Sequence, residues 1–102
     1  MEIHPSQIPI SQFFDVKGYS EAWAVIAKML SMDFSSETGF KILLPKDKNL
    51  AKRIGYTIVN ELNRGLRHKG YHHKILYFVY HHDAEHYAIV LASEESVAKL
   101  RP

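Results

Sequence analysis

Between Asp47 and Gly70 the apolar residues recur with the period of an α-helix, and no other segment constrains the fold as strongly. Stepping along a helical wheel puts Leu50, Ala51, Ile54, Ile58, Val59, Leu62 and Leu66 on one arc of roughly 180°. Asp47 is a residue type that caps a helix N-terminus, and Gly70 suits a C-terminal stop. The pattern therefore predicts one long helix running to about His68, with a stripe that must be buried against another layer. Gly55 and Gly65 fall inside the apolar arc. Each costs about 1 kcal/mol relative to alanine, and close backbone approach to a sheet would compensate.

The rest of the wheel carries Lys52, Asn63, Tyr56, Arg67, Asn49, Asn60, Arg53, Arg64 and Thr57, with no acid among them. Lys69, His72, His73 and Lys74 extend this face past the helix end. A merely solvated face would more often mix signs to form i,i+4 pairs. Glu61 lies on the boundary of the apolar arc and is expected to pair with a nearby cation. The asymmetry is wider than the helix. Residues 1–38 hold Lys17 and Lys28 against Glu2, Asp15, Glu21, Asp33 and Glu37, whereas 45–74 hold eight basic residues against Asp47 and Glu61. A formal net charge of +2 conceals this division. Such a surface favours an anionic partner.

The remaining segments fill in a small sheet. Residues 1–18 read as an extended N-terminal arm or edge strand that packs through Phe13 and Phe14. Ser20 is the expected N-cap of a helix from Ala22 to Met32, with Glu21 in its first turn. A polar link from Asp33 to Gly39 leads into a short strand, Phe40 to Leu44, stopped by Pro45. Two strands, about 73–81 and 86–92, form a hairpin. If Tyr80 faces Tyr87, then Phe78 meets Ile89 and Leu76 meets Leu91 on one bulky face, the expected core. Ile75, Tyr77, Val79 and His81 then form the thinner face, opposite Ala92, Val90, Ala88 and His86. If neither the arm, a helix nor a second subunit covers it, that face is an interaction surface. Ser93 caps a last short helix. The order αβαββα predicts a single α+β domain over 1–102 in two layers: a small, mostly antiparallel sheet packed by one long central helix.

Six of the seven histidines lie between His68 and His86. Histidine titrates and ligates metals near neutral pH, and the expected hairpin brings His81 near His86, with Asp83 and Glu85 in the turn. His81, Asp83, Glu85 and His86 are thus the metal-ligand candidates, although no zinc signature is matched and no metal is favoured. His68, His72 and His73 belong to the far end of the hairpin, roughly 26 Å away at about 3.3 Å per residue. A histidine beside a carboxylate also suits general base catalysis. There is no nucleophile motif and no phosphate-binding glycine loop among Gly55, Gly65 and Gly70.

With 102 residues, 46% of them hydrophobic, and no cysteine, the chain reads as a soluble domain without disulfides or thiol chemistry. It has no apolar run of the roughly 20 residues that span a bilayer and no secretory pattern at Met1 to Pro5. The expected setting is the cytoplasm, with no membrane partner and no cofactor. These features point first to a non-catalytic binding protein of the inhibitor, regulator or accessory type, engaging an acidic protein or nucleoprotein surface. The residues expected to carry it are Lys52, Arg53, Tyr56, Asn60, Arg64, Arg67, His72, His73 and Lys74. Direct nucleic-acid binding through the same face is the alternative, and a histidine- or metal-dependent enzyme at the hairpin tip the second. A homodimer through the thinner sheet face is a further expectation.

Overall fold

The computed structural model describes residues 4–32, 39–71 and 74–100. The helix read from Asp47 onward is α2, Lys48–His68, and its signals act as expected. The Asp47 carboxylate accepts hydrogen bonds from the N–H groups of Asn49 and Leu50, at 3.0 and 3.1 Å. At the other end Gly70 adopts φ +84°, a left-handed conformation that glycine takes without penalty. This lets the Gly70 N–H donate to the Arg67 carbonyl and the Tyr71 N–H to that of Leu66. The pair of bonds is a Schellman closure, and Tyr71 packs against the core beside it.

Helix α1 spans Tyr19–Leu30 and starts one residue before the expected cap. Gly18, not Ser20, occupies the cap position and offers no side chain; the Glu21 carboxylate instead accepts from the Lys17 N–H at 3.1 Å. Helix α3, Glu94–Leu100, is capped as expected: the Ser93 hydroxyl accepts from the Ser96 N–H at 3.0 Å.

Four strands form one sheet in the order β1-β2-β4-β3: β1 is Ile10–Asp15, β2 Gly39–Pro45, β3 Ile75–Asp83 and β4 His86–Ser93. The N-terminal arm is thus a strand, which makes the order βαβαββα. It pairs with β2 in parallel, while β2–β4 and β3–β4 are antiparallel, so the sheet is mixed. Phe14 packs into the core as expected, but Phe13 points to the other face and is 60% exposed. The α+β class holds, and the radius of gyration of 13.0 Å is that of a single folded domain of about 100 residues. The polar link at 33–38 lies outside the described residues.

The expectation of one helix packing the sheet needs revision. Helices α1 and α2 share one face, burying Ala22, Ile26 and Met29 together with Ile54, Ile58 and Leu62 against Ile42, Leu44, Ile89 and Leu91. On the opposite face a smaller cluster joins Ile8 of the arm and Val97 of α3 to Val90 and Ala92. Both faces of β4 are therefore covered.

The hairpin register differs from the expected one by a single residue. Val79 faces Ile89, Tyr77 faces Leu91 and His81 faces Tyr87, with a bulge between His81 and Asp83. Because side chains alternate, a shift of one changes which residues of the two strands share a face. Leu76, Phe78 and Tyr80 join the smaller cluster with the arm and α3, not the main core. Ile75, Tyr77 and Val79 share the helix-packed face with Leu91 and Ile89. β4 itself faces as expected, buried from Ala88 to Ser93 with Ile89 and Leu91 toward the helices; the slip changes only which β3 side chains lie beside them.

The glycines in α2 act differently from one another. A Cβ on Gly55 would lie 3.5 Å from Ile89 and Leu44, ordinary contact with the sheet. One on Gly65 would lie 2.7 Å from Leu30, so that close approach is to α1 and not to the sheet.

Candidate functional site

On the helix-packed face, β3 reaches beyond the cover that the helices provide. Ile75 is buried, but Tyr77 and Val79 are 48% and 51% exposed. The space over them is a groove of about 500 Å³. Leu44, Gly55 and Ile89 contribute apolar surface, Tyr19, Tyr56, Tyr77 and Val79 contribute exposed apolar groups, and Lys52 and Arg53 supply the charge. Gly55, with no side chain, keeps α2 from filling that space. A few charged groups at the wall of an apolar groove is the usual composition of a ligand site.

The α2 part of the groove continues into the basic face read from the sequence. Lys52, Arg53, Tyr56, Asn60, Arg64 and Arg67 are all exposed, as is Lys74 just before β3. The structure brings Lys52, Arg53 and Tyr56 into the groove with Tyr77 and Val79; Asn60, Arg64 and Arg67 extend along α2. Arg64 is engaged locally, its guanidinium 3.7 Å from the Glu61 carboxylate, the boundary pairing expected of Glu61. Asn63, read as part of the solvent face, instead ties helix to strand. Its side-chain oxygen accepts from the Ile75 N–H at 3.0 Å and its amide donates to the Val59 carbonyl at 3.1 Å. His72 and His73, assigned to the same surface, lie outside the described residues.

The groove's sheet residues and Tyr19 were not among the sequence candidates. Their signal was present only in part. Tyr77 and Val79 belong to the hairpin face marked as thin and in need of cover, but the expected register opposed them to small β4 residues, away from the main core.

The hairpin tip is built otherwise than expected. The bulge puts Asp83, not His81, opposite His86. The Asp83 carboxylate accepts the Glu85 N–H at 2.8 Å and lies 3.0 Å from the His86 ring nitrogen. His82 approaches the same carboxylate at 3.9 Å, Glu85 pairs with Lys46 at 3.6 Å, and the His81 ring rests on Tyr87 at 4.2 Å between centroids. Among the described residues no three of these side chains are placed so that they could hold a metal ion together.

The Glu85 N–H and then the His86 ring hold the Asp83 carboxyl below the ordinary carboxylate range. The ionised form is the one the fold favours, so its contribution is present above about pH 4 and is lost as pH falls through the depressed value. Replacing His86 with alanine should raise the Asp83 midpoint in an NMR titration of the side-chain carboxyl carbon. An unchanged midpoint would show that the imidazole has no part in it.

A second cavity, about 290 Å³, lies on the other face between the arm, β2 and the hairpin. Its cation, Lys41, is already placed over two rings, 5.2 Å from Phe13 and 5.4 Å from Tyr80. No described helix is long and apolar enough to cross a membrane. Compared with protein-family models, curated proteins and solved structures, the chain matches none.

Proposed function

We propose that this protein is a small non-catalytic binding module that engages an acidic protein surface through the α2 face and the groove beside β3. The observation that carries the reading is the groove itself, in which Tyr56, Tyr77 and Val79 are exposed together beside Lys52 and Arg53. Aromatic anchors in a partly desolvated hollow, with arginine nearby, are the composition from which interface hot spots are built. A nucleic-acid backbone would use the cations but gains little from an apolar hollow lined by Val79, Leu44 and Ile89, so the protein partner is favoured. A cytoplasmic setting belongs to the same proposal.

Affinity capture with and without nuclease tests it. A protein retained after nuclease treatment is the expected result. Reversing Arg53 and Arg64 to glutamate should weaken that interaction at least tenfold while the domain stays folded, because exposed substitutions usually change stability by about 0.5 kcal/mol or less. Undiminished affinity in a folded double variant would refute the reading. Retention that disappears with nuclease, and whose affinity falls steeply with salt, would transfer the basic face to nucleic acid.

A further inference from the structure

We infer that the outer edge of β3 is a docking strand: an extended segment of the acidic partner pairs with it and places an apolar side chain in the groove. This rests on the binding role just proposed and specifies how that role is carried out. Hydrogen bonds at the start of β3 establish the direction of its backbone groups. The Lys74 carbonyl accepts from Glu94, across the β4 side, whereas the Ile75 N–H turns away to Asn63. Along a strand, residues two apart point their N–H and C=O groups the same way. Tyr77, Val79 and His81 therefore turn theirs away from β4, along an edge that has no further strand among the described residues. The side chains of Tyr77 and Val79 line the groove, so backbone edge and pocket belong to the same residues.

Sheet edges are normally protected against such pairing by shortness, bulges, proline or inward-facing charge. The opposite edge follows that rule, since β1 has six residues and an irregular register between Ile10 and Gln12. The β3 edge does not. From Ile75 to His81 it is regular in register and has neither proline nor lysine, and its bulge comes only after His81. Strand addition draws affinity from the main chain and specificity from pockets that take alternate side chains; both parts are present here.

Charge selects the occupant. Lys52 and Arg53 stand in the groove, whose lining holds no acid among the described residues, and Lys74 precedes the strand. On the adjoining elements Glu61 is engaged by Arg64, Glu94 by the Lys74 N–H, and Asp83 by the Glu85 N–H and the His86 ring. A second copy of this chain would bring the same cations together, so the fitting segment alternates apolar residues and carries acidic flanks.

The test is selection of a displayed random dodecapeptide library against the intact protein, followed by affinity measurement with the enriched peptides. Enrichment of acidic sequences with apolar residues at alternate positions is expected. Replacing Val79 with proline removes an outward N–H without taking a bond from β4 and should reduce their affinity at least tenfold. Should that variant fold poorly, N-methylation of the peptide answers the same question: methyl groups on one alternate set of amides should abolish binding and those on the other set should not. Enriched acidic peptides indifferent to both changes, or with apolar residues three and four apart, would overturn strand addition while leaving the basic-face reading intact. Peptides enriched without acids and indifferent to reversal of Arg53 and Arg64 would overturn both, as would a library with no enriched sequence. A dimer that forms without peptide and is broken by Val79→Pro would assign the edge to a second copy and overturn the proposal.

Discussion

Truncating Leu62 to alanine is expected to lower the unfolding free energy by about 3–4 kcal/mol, in the middle of the range for buried leucines. Leu62 is fully buried in α2, in the cluster that joins both long helices to β2 and β4. The loss combines transfer of the removed methyl groups with the cavity left behind, which a helix held on two sides cannot close. Set against a typical domain stability of about 5–15 kcal/mol, this is a large fraction of the whole. Urea unfolding would register it as a lower midpoint with an unchanged slope. A change below about 1 kcal/mol would mean that the α1–α2–sheet contact is not the main source of stability. The result would also calibrate the binding variants, because Lys52 and Arg53 are exposed and changes there should leave the midpoint nearly in place.

The second large effect is expected at Gly39, where the arm, β2 and β4 converge. Its N–H donates to the Pro9 carbonyl at 2.6 Å, and its own carbonyl accepts from the Ser11 hydroxyl at 3.3 Å. A Cβ there would lie 2.7 Å from the Leu91 carbonyl oxygen and 2.8 Å from the Ile8 side chain. Ile8 could turn away, but the Leu91 carbonyl belongs to the strand backbone and cannot move without disturbing the β2–β4 ladder. Gly39→Val should therefore cost about 2–4 kcal/mol, at the upper end of overpacking effects. Adding Ile8→Ala should not restore stability, since it removes only the yielding half of the clash. A Gly39→Val domain as stable as the parent would show that the strands separate there more easily than their spacing implies.

Much of this architecture was legible locally. The α2 stripe, its Asp47 cap and the Gly70 stop depend on residues within a turn or two of one another, and each occurs where periodicity and capping chemistry put it. Ser93 behaves the same way, as does Glu61 beside Arg64. Ser20 misled because a good capping residue one position inside the helix is indistinguishable, by composition, from one at its boundary. The candidate site was half legible. Its cations lie on one helix and show in a wheel, but the groove needs Tyr19, Leu44, Tyr77, Val79 and Ile89 from four other elements.

What the sequence by itself determined is the three helices and the strands β2 to β4, the caps at Asp47 and Ser93, the Gly70 stop, and the concentration of positive charge along α2, because each follows from neighbours a few residues apart. The tertiary structure decided that the arm pairs with β2, that α1 shares the sheet with α2, and that the hairpin shifts by one residue. Those outcomes share a physical cause. β4 is covered on both faces, with Ile89 and Leu91 toward the helices and Val90 and Ala92 toward the arm and α3, and the observed register sends Leu76, Phe78 and Tyr80 to that second layer. That same register leaves Tyr77 and Val79 on an open edge beside Lys52 and Arg53, and so the groove exists only once the whole sheet is assembled.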